Sequence, residues 1–316
     1  MPDTKLAPSL MELEFLKSNS LNLLDNGGFG AGQKYTGIVF NPATGTVVID
    51  RWKCQFFTNT VQPTFSYQRA ANGDRAHCIR LNCTVAGTGG LGDDRFAYQA
   101  CLTGGTDFRG KQISVSMWMN SNTNTAGLEL RYGTGLFVRT NHSGSGAWEY
   151  LTCTATIDSA YSQFSVAAFC SPAVTSDVWI NDAMAVMGSV PVPYRPLSEA
   201  EDLMRCLRYY EKSYAIADAP GTNTATNLQY ATGVVRNTND VMTGTVHFKV
   251  QKASAPTVTL YTQTGTSGQW AWTNATSSKT NRVTTADVIT TNGFNLRQMV
   301  TSADLFAEGH WVAEVA

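Results

Sequence analysis

The chain has 316 residues, of which 15% are charged, and its net charge is −1. That is well below the roughly 25% charge of ordinary soluble proteins, and no Lys/Arg-rich run interrupts it, so nucleic-acid or anionic-lipid partners are disfavoured. The length suits two ordinary domains, and the abundance of Gly, Thr, Ser and Asn points to many short strands joined by turns.

Residues 1–24 read as an arm. Ser9 is followed three positions later by Glu12, a capping box that would open a helix of about two turns ending near Lys17. Such an arm either frays or orders against a docking partner. Its most apolar stretch, Leu10 to Leu16, carries Glu12 and Glu14 and is too short and too charged for a secretion signal or a membrane span.

Residues 25–193 give a succession of strand-like runs: 47–57, 76–83, 95–102, 112–119, 127–132, 136–140, 148–157, 163–170 and 177–187. Gly/Asn/Asp clusters separate them at close to the spacing of a β-sandwich, most simply a jelly roll. Gly133-Thr134-Gly135 marks a hairpin turn between two of them.

Residues 194–213 form a linker with a helix. Ser198 and Glu201 make a second capping box, Glu199 and Asp202 sit in the first turn, and Arg205, Arg208 and Lys212 follow. The helix is expected to run from Ser198 to Lys212, with Ala200, Leu203, Leu207, Tyr210 and Tyr214 as one apolar stripe packed on this chain or on another subunit. Residues 214–316 resume the strand pattern. Residues 243–250 alternate, with Val246, Phe248 and Val250 on one face, and 255–261 continue after a Pro-containing bend. The expected class is therefore mostly β: arm, jelly-roll sandwich, linker helix and a C-terminal β-sandwich-like domain.

Seven cysteines, at 54, 78, 83, 101, 153, 170 and 206, cannot all pair within one chain and show no CxxC spacing. Buried, reduced thiols are expected, in keeping with synthesis in a reducing compartment.

Two resemblances add to this. Tyr194-Arg-Pro196, the acidic helix start and Arg205-Cys-Leu-Arg-Tyr-Tyr-Glu-Lys-Ser213 resemble the linker of bacteriophage tail-fibre and minor tail proteins, as do Ala255-Pro-Thr-Val-Thr259, Gly293-Phe294 and the final strand His310–Val315. That resemblance implies a virion protein, an expected homotrimer, and docking to other virion proteins through residues 1–24. Asn22-Leu-Leu-Asp-Asn-Gly-Gly-Phe29, Asp50-Arg-Trp52 and Val178-Trp-Ile-Asn-Asp-Ala-Met184 resemble the jelly rolls of carbohydrate-binding modules. It implies a bacterial surface polysaccharide as partner and a structural calcium held between the opening and Asp182. Gly28 and Gly30 stand where that family has carboxylates, which removes two of the oxygen ligands a hard cation needs.

Chemistry is sparse. No nucleophile elbow occurs, and His77-Cys78 with Cys83 lies along one strand whose side chains alternate between faces. For glycoside hydrolysis the candidates are Asp93-Asp94 in a Gly-rich turn, Glu129 and Glu149. Binding has more support: Trp118 with Asn120 and Asn122, Tyr132 with Arg131, Trp148 with Asn141 and His142, and the pair Trp270/Trp272 each combine an aromatic face with polar neighbours. Each aromatic is either a core residue or part of a ligand platform. The resulting expectation is a non-enzymatic attachment subunit that binds a host glycan. The rivals are a purely structural adaptor, whose aromatics would all be buried, and a polysaccharide-degrading module.

Overall fold

The computed structural model describes residues 21–33, 39–41, 47–55, 63–88, 94–101, 107–237, 240–274, 276, 278–298 and 304–315. Residues 1–20 of the expected arm and Asp93 lie outside these, whereas residues 21–24 are not arm but part of the first unit, with Leu24 buried in its core and Leu23 N–H donating to the Ala185 carbonyl at 2.9 Å. The chain forms two compact units, one within Met1–Ala31 and Gly37–Asp202, the other within Gly32–Thr36 and Leu203–Ala316.

The first unit contains β1 (Val39–Phe40), β2 (Val47–Ile49), β3 (Trp52–Gln55), β4 (Thr64–Asn72), β5 (Arg75–Val85) and β6 (Asp94–Cys101). It continues with β7 (Gln112–Ser121), β8 (Ala126–Gly133), β9 (Leu136–Asn141), β10 (Trp148–Thr156), β11 (Phe164–Cys170) and β12 (Ser176–Met187). These make two six-stranded antiparallel sheets, in the orders β1-β4-β5-β12-β7-β10 and β2-β3-β6-β11-β8-β9. Strand β8 pairs β9, β7 pairs β10, β6 pairs β11 and β5 pairs β12. The chain from β5 to β12 is thus one long hairpin, turning at Thr134-Gly135 and wound alternately through both sheets, which is the jelly-roll topology.

Period-two alternation builds the core. Ile113, Val115, Met117 and Met119 of β7, Leu128 and Leu130 of β8, and Val178 and Ile180 of β12 are buried together with Leu24, Phe29, Trp52 and Phe164. All seven cysteines are buried thiols, as their placement in strand-like runs implied.

One strand expectation for this unit is corrected, and one strand lies outside the expected runs. The run 47–57 is not one strand: Asp50 and Arg51 turn the chain, Arg51 has φ 73°, and β2 folds back on β3. Arg51 Nε is fixed there by Asp25 Oδ2 at 2.9 Å. The sequence reading also passed over β4, although Phe65 and Tyr67 point into the core from alternate positions.

The helix, α1 (Glu199–Leu207), starts as expected. Glu201 N–H donates to Ser198 Oγ and Ser198 N–H donates to Glu201 Oε2, both at 3.2 Å. It stops earlier than its apolar spacing suggested. Lys252 Nζ donates to the Leu207 carbonyl at 2.5 Å, and Tyr210–Lys212 become a strand, β13, paired with Val312–Glu314. Ala200 is exposed, whereas Cys206, Leu207, Tyr210 and Tyr214 are buried.

The second unit continues with β14 (Gln229–Asn237), β15 (Asp240–Thr243), β16 (Val246–His247), β17 (Thr257–Tyr261) and β18 (Gln269–Asn274). β19 (Lys279–Val283), β20 (Thr285–Asp287), β21 (Gly293–Gln298) and β22 (Asp304–Glu314) complete it. β22 is its spine. Residues 306–309 pair with β14, and 310–314 pair with β17. Trp270, Trp272, Phe248, Phe294, Leu260 and Trp311 fill one core. The expected strand 243–250 is broken between β15 and β16, yet Val246 and Phe248 do share the buried side.

Candidate functional site

In the sheet that carries β5, β12, β7 and β10, the side chains opposite the core include Trp118 and Asn120 of β7, Trp148 and Tyr150 of β10, Trp179 and Asn181 of β12, and Arg80 of β5. Register sets them in rows: Trp148 lies beside Asn120, Asn120 beside Trp179 and Trp179 beside Arg80, while Tyr150, Trp118 and Asn181 form the next row. Neighbouring strands are about 4.8 Å apart, so the backbones carrying Trp148 and Trp179 are separated by about 10 Å. None of these three indoles is buried in the core; all are partly exposed.

The rest of this face is closed by the chain itself. Residues after β12 return across it, with Ser114 Oγ donating to the Gly188 carbonyl and Ser116 Oγ to the Val192 carbonyl, both at 2.8 Å. Met184, Val186 and Val192 seal that half with Tyr194 against them. The half bearing the tryptophans has no such cover among the described residues.

Two arginines organise the open half. Arg75 follows the turn at Gly73 (φ 62°) and begins β5. Its guanidinium carbon lies 4.7 Å from the ring centroids of both Trp118 and Trp148, and its Nη1 donates to Asn181 Oδ1 and Asp182 Oδ2 at 2.7 Å each. Arg80 stands 4.9 Å over Trp179 and grips Asp177 with Nε and Nη2, at 2.7 and 2.8 Å. Asn122 Oδ1 accepts the Asp177 N–H at 2.9 Å. Tyr150 backs Trp118 at 5.4 Å between centroids. Burial pushes the Asp182 carboxyl above its ordinary value, with the Arg75 charge opposing this.

The loop before Trp148 is rigidly tied. His142 is buried; its Nδ1 accepts the Gly144 N–H and its Nε2 donates to the Ala147 carbonyl, each at 2.9 Å. Glu149 accepts from the Ser143 hydroxyl, from the Ser143 N–H at 3.0 Å and from the Ser145 hydroxyl at 2.9 Å. Asn120 Nδ2 donates to the Gly146 carbonyl at 2.8 Å. Trp148 is therefore presented in a preorganised position, which lowers the entropic cost of engaging a ligand.

Of the residues expected to bind, Trp118, Asn120 and Trp148 come together here. His142 does not face a ligand; it is the internal brace of the loop. Tyr132 belongs to the other sheet and packs against the core. Trp270 and Trp272 are fully buried in the second unit, where their indole N–H groups donate to the His310 carbonyl and to Thr284 Oγ1, at 2.9 Å each. That pair is core packing, not a contact strip. The sequence reading missed Trp179, Arg75 and Arg80. Trp179 could have been found from Val178-Trp-Ile180, since an alternation that buries Val178 and Ile180 turns Trp179 outward.

The residues do not fit a calcium ion at Asp182. A Cβ on Gly27 would collide with the Ala183 carbonyl oxygen, and one on Gly28 with the Tyr194 phenol, so the tyrosine occupies the space of the missing carboxylate. Burial, helped by the charges of Asp202 and Asp182, raises the Tyr194 phenol to about 12 and keeps it neutral. Asp182 is engaged by Arg75. Among the described residues no three His, Cys, Asp or Glu side chains cluster as a metal site would require.

Glu129 and Glu149 are equally unsuited to hydrolysis, while the side chains of Asp93 and Asp94 lie outside the described residues. Glu129 is fully buried, with Arg139 at 2.7 Å and Arg131 at 3.7 Å. The Ser143 hydroxyl holds the Glu149 carboxyl below its ordinary value, the opposite of what a general acid needs. Burial lifts the Cys78 thiol to about 11, and desolvation beside Arg69 lowers His77, so neither is poised as a nucleophile–base pair.

No protein-family model matches the sequence, and no curated protein matches it. Among solved structures, the chain is similar to a CBM4 carbohydrate-binding module, with 11% identity and a TM-score of 0.35 over 52% of this chain and 99% of that one. It is similar to a carbohydrate-binding module of Cellvibrio mixtus lichenase 5A solved with cellotriose, with 11% identity and a TM-score of 0.24 over 42% of this chain and 92% of that one. The enzymatically active domain of bacteriophage CBA120 tailspike protein 4 aligns at 12% identity and a TM-score of 0.34; the match covers 53% of this chain and 21% of the tailspike chain.

Proposed function

We propose that this chain is a non-catalytic glycan-binding protein whose binding surface is the open half of the jelly-roll face carrying Trp118, Trp148 and Trp179. The observation that supports it is the gathering of three partly exposed indoles, with Asn120, Arg75 and Arg80 between and beside them, on one rigid sheet. Indole faces pack against the C–H faces of sugar rings, and the interleaved amide and guanidinium groups hydrogen-bond hydroxyls. A purely structural adaptor would bury these aromatics in a core, as the second unit buries Trp270 and Trp272. Against a hydrolase stand the sealed Glu129 and the low Glu149.

The physiological setting we propose is a phage fibre or appendage subunit that attaches the virion to a bacterial surface polysaccharide. The basis is the resemblance carried by residues 194–213 and by the C-terminal strands, and the part of the arm before residue 21 is assigned to docking on other virion proteins.

A glycan array followed by titration calorimetry tests the binding. Trp148→Ala and Trp179→Ala should each cost about 2 kcal/mol, roughly 30-fold in affinity, while Trp118 loss would add a packing effect through Tyr150 and Arg75. Silence on an array of bacterial surface polysaccharides, or unchanged affinity in both variants, overturns the reading. Release of new reducing ends from a bound polysaccharide would replace it with an enzyme.

A further inference from the structure

Arg75 is bound asymmetrically. Nη1 makes both of its hydrogen bonds, to Asn181 and Asp182, while its Nε and Nη2 have no hydrogen-bond partner among the described residues. The side chain is partly exposed, at 23%, and sits against two indoles. On the same face, Arg80 shows what the equivalent edge does when it meets a carboxylate: its Nε and Nη2 take the two oxygens of Asp177 in a side-on fork. Arg75 presents that fork without an acid in it.

Building on the reading of this face as a glycan site, we infer that it selects glycans bearing carboxylated sugars, with the Nε/Nη2 edge of Arg75 taking the sugar carboxylate while Trp118 or Trp148 carries the ring. Several features of the arrangement favour a carboxylate over a hydroxyl. A planar pair of N–H donors matches two oxygens of one group, whereas a hydroxyl uses one donor and leaves the other unpaired. The indoles flanking the guanidinium exclude water and strengthen a charge-assisted bond there. Asp182 and Asn181 hold the guanidinium by its other nitrogen, so the fork is positioned before the ligand arrives. Asp177 does not compete, being engaged by Arg80.

The test compares polysaccharides with and without their charge on the same backbone. Polygalacturonate, alginate and hyaluronan are each titrated against the full chain beside their carboxyl-reduced forms, with neutral β-glucan and galactan, and with dextran sulfate as a non-carboxylate polyanion. At least one carboxylated polymer should bind tenfold or more tighter than its reduced form and than dextran sulfate. Arg75→Gln should abolish that preference, so that the variant binds the carboxylated and the reduced form within about twofold of each other, both more weakly than the wild type does, and Arg75→Lys should restore only part of it. An unchanged thermal unfolding midpoint reports that the variant is folded; should Arg75→Gln not fold, the wild-type preference alone decides. Equal or better binding of reduced or neutral polymers overturns the carboxylate assignment and leaves the glycan site standing. Equal binding of dextran sulfate also overturns it, as non-specific anion attraction. No binding to any of these polymers overturns the carboxylate assignment, and silence extending to the polysaccharide array overturns the site as well.

Discussion

Lys252 and Glu211 form a fully buried ion pair at 2.5 Å in the second unit. Glu211 also accepts the Lys249 N–H at 3.0 Å, and Lys252 caps the Leu207 carbonyl. Desolvation lowers the Lys252 ammonium, and Glu211 works against that shift. Every polar atom of the pair thus has a partner, and removal of one member strands a charge in the core. Lys252→Met should destabilise the unit by about 3–5 kcal/mol, and the double change with Glu211→Leu should recover much of it, because two apolar side chains leave nothing unpaired. Urea denaturation of both variants checks this; a double variant as weak as the single one would mean that the pair acts through the helix cap alone. Neither residue was singled out from sequence. They lie 41 positions apart, and no local pattern links them.

At the scale of elements, α1 shows which half of a helix is written locally. Its start is set by Ser198 and Glu201, three residues apart, and was legible. Ser198→Ala should cost about 1 kcal/mol, seen as a lower midpoint in thermal denaturation, with Ser198→Asp close to neutral. Its end is set by Lys252, 45 residues downstream, and by the demand of β22 for a partner at Tyr210–Lys212. The i, i+3, i+4 spacing of Leu207, Tyr210 and Tyr214 therefore suggested a longer helix, while a strand was the outcome. The turn at Asp50-Arg51 is a similar case. An apolar-rich run reads as one strand, but ion pairing of Arg51 with Asp25 stabilises a reversal that propensity alone does not encode. Conversely, Gly133-Thr134-Gly135 specified its hairpin outright, because the turn needs a positive φ at Gly135 (φ 70°) and glycine adopts it without strain.

At the scale of the whole molecule, the fibre reading predicts a homotrimer, with a native mass three times the 34.2 kDa of the chain. Native mass spectrometry checks it, and a monomer would count against the fibre setting while leaving the sheet face untouched. The sequence by itself determined that the protein is mostly β, that its thiols are buried, where its one described helix begins, and that Trp118, Asn120 and Trp148 stand beside polar turns. These follow from period, capping and turn chemistry, which act over a few residues. Only the tertiary structure decided which aromatics share a face. Alternation tells that Trp179 points away from Val178 and Ile180, but the jelly-roll winding is what lays β12 beside β7 and brings Arg75 between Trp118 and Trp148. The same long-range packing buried Trp270 and Trp272, closed half of the outer face with residues 188–194, and filled the place of a calcium ligand with Tyr194. Burial is a property of what covers a side chain, and the cover comes from residues far away in the chain.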